Sequence, residues 1–239
     1  MSRTESTATG QSELGSGIRL PSVNAPRLNI GCGPIQPDGW TNIDGSNRAK
    51  LASKVPWLDR ALVALRLLPP TEFDGQTVAI DVRKRLPFAE NSIAAVYGGE
   101  ILEHFTQAQA VKFLDECFRV MMPGGVLRIR VPDNFGFWRR YVTEFEEAFA
   151  RPRGDWTTSH ERFVKMFFND ICVSRPWLNS MGHYHKWMFD EITLIRIFED
   201  AGFVETERCR KHDSRIPDIA SVESREDLIV EGIKPKCAE

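Results

Sequence analysis

The sequence predicts an α/β fold in which a mostly parallel sheet is assembled from βαβ units and finished by an antiparallel hairpin. Three observations carry this expectation. Short aliphatic or β-branched runs alternate with segments of helical periodicity along most of the chain. The first run, Leu28-Asn29-Ile30, opens directly into Gly31-Cys32-Gly33, so backbone can come close to a ligand there. The last two runs, about Phe203 to Cys209 and Leu228 to Ile233, have no helical pattern between them, as in a hairpin at a sheet edge. A length of 239 residues, 42% hydrophobic and 27% charged, suits a single domain with one sizeable core.

Residues 1–24 begin with a stretch rich in Ser, Thr, Gly and Glu that lacks the apolar core of a secretion signal, and they are expected to form a disordered tail. The folded domain is then 25–239. Val55 to Leu68 reads as an apolar helix stopped by Pro69-Pro70, either a core or lid helix or one facing a partner or lipid. Thr77 to Ile80 is a strand ending at Asp81, and Ile93 to Tyr97 is another, ending at Gly98-Gly99. Thr106 caps a helix whose Ala110, Phe113, Leu114 and Cys117 share one face, and Pro123-Gly124-Gly125 follows it. Val126 to Val131 alternates with Arg128 and Arg130 on one face. A helix runs from about Phe135 to Ala150, and another from an Asp190 cap to Ala201, closed by Gly202. Residues 151–187 interrupt the rhythm as an aromatic-rich insertion that includes Trp156, Phe163, Trp177, Tyr184 and Trp187.

The formal net charge of -2 gives no bulk electrostatic reason to bind nucleic acid, and no apolar run is long enough to span a membrane. Five scattered cysteines without a Cys-x-x-Cys pair suggest neither a disulfide framework nor a thiolate zinc site, and a cytoplasmic location is expected. The oligomeric state is left open.

Five pieces occur in a telling order: Leu28-Asn29-Ile30-Gly31-Cys32-Gly33, Gly39-Trp40-Thr41-Asn42-Ile43-Asp44, Asp81 to Phe88, Leu102-Glu103-His104, and Arg119 to Gly125. Together they resemble the class I S-adenosylmethionine-dependent methyltransferases of the type 11-like group, over roughly Arg27 to Ala201. The resemblance implies a Rossmann-like, seven-stranded methyltransferase sheet, mostly parallel with an antiparallel terminal hairpin. It also implies S-adenosyl-L-methionine as cofactor. Gly31, Gly33, Asn29, Gly98 and Gly99 are expected around the cofactor, with backbone carbonyls near Gly31 and Gly99 helping to anchor its amino group. Asp44 is expected to accept hydrogen bonds from the ribose hydroxyls, and Asp81 with the Val82 backbone to face the adenine.

Two features depart from the common pattern. Only nine residues, Cys32 to Trp40, separate the first two strands, where a parallel crossover usually takes about a dozen and a helix. The first connecting helix is therefore shortened or absent, which also disfavours a dinucleotide oxidoreductase and its pyrophosphate-binding helix. Asn29 stands where many methyltransferases carry an acidic residue.

Methyl transfer from a sulfonium needs mainly an in-line nucleophile and exclusion of water, with a base only for a hydroxyl-like acceptor. The candidate bases are His104, His183, His185 and Glu100, the two later histidines flanking Tyr184 before the Asp190 helix. Each also has an ordinary structural reading. No metal is expected, because His183 and His185 share a face only in extended backbone and no carboxylate cluster accompanies them. The expected activity is methylation of a hydroxyl on a small molecule or carbohydrate. An amine acceptor, or a catalytically silent scaffold associating through Val55 to Leu68, stands as the alternative.

Overall fold

In the computed structural model, which describes residues 25–68, 73, 77–155, 163 and 185–236, the first aliphatic run forms β1 (Arg27–Ile30) and pairs in parallel with β2 (Thr41–Ile43). The expected tail, residues 1–24, lies outside the described residues. No helix connects β1 to β2; the chain crosses through turns, as the nine-residue separation requires. On its other side β1 pairs in parallel with β3 (Ile93–Gly99), and β3 in turn with β4 (Met121–Val131). The late runs form β5 (Val204–Cys209) and β6 (Leu228–Ile233), both in antiparallel pairing. The resulting order is β2-β1-β3-β4-β6-β5.

The described sheet has six strands, where seven were expected. The run Thr77 to Ile80 supplies only a parallel bridge between Val78 and Ile43. Its physical cause is the short partner: β2 offers three residues, so Val78 N–H donates to the Asn42 carbonyl (2.8 Å), its own carbonyl accepts from Asp44 N–H (3.2 Å), and the chain then turns at Asp81.

Among the described residues, five α-helices flank the sheet. The apolar stretch predicted as one helix is split in two: α1 (Asn47–Lys54), capped by Ser46, and α2 (Pro56–Ala64), with Val55 between them. Pro56 explains the break, since it cannot donate the hydrogen bond that would continue α1. The buried residue of α2 is Asp59, paired with Arg48 at 2.9 Å, while Trp57, 70% accessible, and Leu65 point outward. This helix is therefore not a core helix. By contrast α3 (Gln107–Val120) follows expectation, with Thr106 and Gln109 forming a reciprocal capping box and Ala110, Phe113, Leu114, Cys117 and Val120 buried. Next come α4 (Asn134–Phe149), capped by Asp133, and α5 (Glu191–Asp200), capped by Asp190.

Both sheet faces are covered. A larger apolar cluster joins Ile30, Val96, Leu127 and Val230 to Phe113 and Leu114 of α3 and to Leu194 and Phe198 of α5. On the opposite face Ala95, Tyr97 and Val126 pack against Ile216, Ile219 and Val222, from the connection between β5 and β6. That second face also holds Arg128, which is completely buried. Its guanidinium donates to Glu223 through Nε (2.9 Å) and Nη2 (2.8 Å), to Glu231 (2.8 Å), and to the carbonyls of Asp213 and Arg210 (both 2.8 Å). All five donors are thereby used, which is the condition under which a buried charge is tolerated.

Replacing Arg128 with Met keeps the apolar stem and removes the cation shared by two buried carboxylates, leaving Glu231 the longer Arg215 pair (3.6 Å) and Glu223 the His212 amide. The expected loss is about 3–5 kcal/mol, read as a lower urea midpoint; a loss under about 1 kcal/mol would mean that Glu223 and Glu231 find other partners.

Candidate active site

The carboxyl ends of β1, β2 and β3 lie side by side, and the glycines sit at that edge. Gly31 N–H and Cys32 N–H both donate to the Ile43 carbonyl (2.9 and 3.1 Å), folding the loop back onto β2. Gly31 has φ +72, and a Cβ there would lie 3.2 Å from the Gly99 carbonyl oxygen. Gly33 has φ +49, but a Cβ on it would meet nothing within 4 Å. The first glycine thus serves close backbone packing, and the second borders open space.

Asp44 is held beside this loop: Oδ2 accepts from Gly33 N–H (3.2 Å) and Oδ1 from Ser46 N–H (2.8 Å). An ionised carboxylate has about four acceptor sites, so it retains capacity for further donors. Asn29 is buried and spends its amide inside the protein, donating to the Ile35 carbonyl (2.8 Å) and to Asn42 Oδ1 (2.9 Å). Asn42 donates onward to the Pro37 carbonyl (3.2 Å), and Gln36 to that of Gly33 (2.7 Å). These amides secure the helix-free crossover. Asn42 and Gln36 were not singled out from the sequence, since nothing in an isolated amide marks it as a loop clasp.

Asp81 follows the Val78 bridge, and Val82 is buried beside it. Both Asp81 oxygens accept from Arg83, at 2.8 Å from Nε and 2.8 Å from Nη2, and this guanidinium holds the Asp81 carboxyl below its usual range. Arg83 is thus engaged with Asp81, whereas Lys84 and Arg85, which follow it, are exposed.

At the end of β3, Gly98 and Gly99 are buried, and a Cβ on Gly98 would come within 2.7 Å of Ile129. Glu100 has φ +53, and its carboxylate accepts from Arg130 (3.0 Å) and Arg225 (3.3 Å). That commitment argues against Glu100 as a base. Its neighbour Glu103, not chosen from the sequence, is buried, and neither carboxylate oxygen has a hydrogen-bond partner among the described residues. Burial pushes its carboxyl up to about 8, against a smaller opposing effect of its own backbone amide.

His104 closes the 3-10 turn Leu102–His104, and its ring lies edge-on to His185 with centroids 5.0 Å apart. Main chain fixes this meeting, since Lys186 and Trp187 N–H groups both donate to the Glu103 carbonyl (2.7 and 3.2 Å). One ligand atom each from Glu103, His104 and His185 falls within 4.8 Å of the others. His183, Trp156, Trp177 and Tyr184 lie outside the described residues. Phe163 is buried against Phe137 and Tyr141, a packing role.

The family described as "Methyltransferase domain" matches residues 28–129. Over that stretch the chain is similar to methyltransferase domains. The matched stretch contains both glycine pairs, Asp44, Asp81 and His104; His185 comes from outside it. A curated relative from Mycolicibacterium smegmatis, described as "Probable S-adenosylmethionine-dependent methyltransferase", is 34% identical over 79 residues, which cover 28% of this chain and 30% of the relative. The similarity thus spans less than a third of that protein. Among solved structures, a SAM-dependent methyltransferase from Archaeoglobus fulgidus is 13% identical with TM-score 0.49, covering 89% of this chain and 87% of the other. One from Methanosarcina mazei is 15% identical with TM-score 0.48, covering 90% and 95%.

The residues of the matched stretch fit S-adenosylmethionine. The space beside Gly33, which a side chain would enter, borders Asp44 with acceptor capacity left over. Gly31→Ala is expected to destabilise the domain more than Gly33→Ala. Both substitutions bear the positive-φ cost of about 1–2 kcal/mol, and only the methyl group added at Gly31 presses on the Gly99 carbonyl. Urea unfolding of the two variants measures this, and equal losses would contradict the packing role of Gly31.

Proposed function

We propose that the protein is an S-adenosylmethionine-dependent methyltransferase that methylates a hydroxyl of a small molecule or carbohydrate. The observation that carries this reading is the notch beside Gly33, bordered by Asp44 and set in the matched stretch. Gly31 and Gly33 leave room for the methionine end, with the Gly98 and Gly99 carbonyls in reach of its ammonium. The Asp44 carboxylate, oriented by two backbone donors, receives the ribose hydroxyls. Asp81 and the Val82 backbone take the adenine, with Arg83 restraining the Asp81 carboxylate. Asn29 acts at one remove, by holding the loop.

The cofactor supplies a methyl group activated by a positively charged sulfur. The chain's own task is to hold the acceptor oxygen in line, exclude water and take up the acceptor's proton. That uptake is assigned to the cluster of Glu103, His104 and His185, which follows directly on the Gly99 edge, with His183 as a further candidate. Glu100 instead fixes Arg130.

Asp44→Ala removes a charged acceptor of two hydrogen bonds, each contributing about 1.5–3 kcal/mol. S-adenosylhomocysteine affinity, measured by calorimetry, is expected to fall at least ~100-fold; unchanged affinity removes Asp44 from the ribose role. A screen of acceptors with isotopically labelled methyl donor, read by mass spectrometry, tests the reaction. Label on a hydroxyl oxygen supports the reading, label on an amine nitrogen supports the alternative acceptor, and no transfer to any acceptor class contradicts the activity.

A further inference from the structure

We propose that Glu103, His104 and His185 form a binding site for one divalent first-row transition-metal ion. The site goes beyond the methyl-transfer reading, and nothing in the matched stretch predicts it, because one of its three residues comes from outside residues 28–129.

Two independent observations point to a cation. The first is convergence: a carboxylate oxygen and two imidazole nitrogens lie within 4.8 Å of one another. Ligands around one ion lie within about 4.4 Å, twice a metal–ligand bond of about 2.2 Å. Small side-chain rotations therefore suffice to close the cluster. The second is the condition of Glu103. It is 2% accessible, and neither of its oxygens has a hydrogen-bond partner among the described residues. Buried carboxylates are normally paired or coordinated, since desolvation without compensation is costly. The two residues that converge with it are both histidines, whose neutral rings ligate metals through nitrogen.

The backbone is arranged to keep the three together. Glu103 and His104 share a 3-10 turn, and the Lys186 and Trp187 amides donate to the carbonyl of Glu103 itself, so His185 is tied to the residue it would join on the ion. A cluster held by main-chain bonds is partly organised before an ion arrives.

Two imidazoles and one carboxylate suit zinc, manganese, cobalt or ferrous iron better than magnesium or calcium, which favour all-oxygen sets. Three protein ligands leave at least one position open. If the methyl-transfer reading holds, that position faces an acceptor oxygen. The ion would then make the hydroxyl more acidic, so that its proton passes to bulk water as the acceptor binds and before water is excluded, and the three ligands serve the ion in place of the base role.

The test uses the full chain, freed of any affinity tag and treated with chelator, titrated with Zn²⁺ alone by calorimetry and with Co²⁺ alone by visible absorption. No methyl donor is present, so failure of the metal site and failure of the methyltransferase reading are separate results. Expected are one equivalent bound, ligand-field bands of a nitrogen-ligated Co²⁺, and at least a ~10-fold loss of affinity in His185→Ala and in His104→Ala. Glu103→Gln, close in shape, is expected to lose affinity likewise, with circular dichroism confirming that each variant is folded. Absence of 1:1 uptake of both ions, or equal affinity in the folded His185→Ala variant and the parent, overturns the proposal.

Discussion

Where the ends of β1 and β3 meet, the chain has no room for side chains, and the rest of the site is arranged around that restriction. A Cβ on Gly31 would press on the Gly99 carbonyl, one on Gly98 would strike Ile129, and one on Gly99 would lie 2.8 Å from the Tyr97 hydroxyl. Because Gly99 yields this space, the buried Tyr97 ring can reach the strand end, where its hydroxyl accepts from Arg130 Nε (3.1 Å). Arg130 in turn holds Glu100 (3.0 Å) and Asp227 (2.9 Å). A steric constraint at two strands is thus converted into a fixed polar edge that reaches the terminal hairpin.

The same edge shows why the site tolerates so short a crossover between its first strands. Without a connecting helix, the loop from Cys32 to Trp40 has no regular backbone ladder of its own. The amides of Asn29, Asn42 and Gln36 supply the missing bonds from side chains. Neutral buried hydrogen bonds of this kind each contribute only about 1 kcal/mol net, but an unmet donor there costs more. Asn29 is therefore better understood as part of the loop's support than as a direct contact for a cofactor.

Much of this was legible in the sequence where local chemistry decides structure. Thr106 and Asp190 cap helices because a short side-chain oxygen satisfies the first free N–H groups, and α3 follows from the spacing of its apolar face. The helix-free crossover followed from chain length alone. What was not legible depends on partners distant in sequence. The alternation of Val126 to Val131 placed Arg128 and Arg130 on one face. Their burial rests on Glu223, Asp227 and Glu231, which arrive with β6 and the segment before it. The strand at Thr77 shrank to one bridge because its partner is three residues long, a property of β2 rather than of Thr77. Glu103 looked like an ordinary motif residue until the amides of Lys186 and Trp187 brought His185 over it.

In the proposed reading, the glycine-lined edge and Asp44 together form the seat of a sulfonium cofactor. A crystal structure of the protein with S-adenosylhomocysteine tests it most directly. The expected complex has the methionine end over Gly31 and Gly33 and the ribose hydroxyls within hydrogen-bond distance of Asp44. Ligand density elsewhere, or a ribose turned away from Asp44, would contradict it.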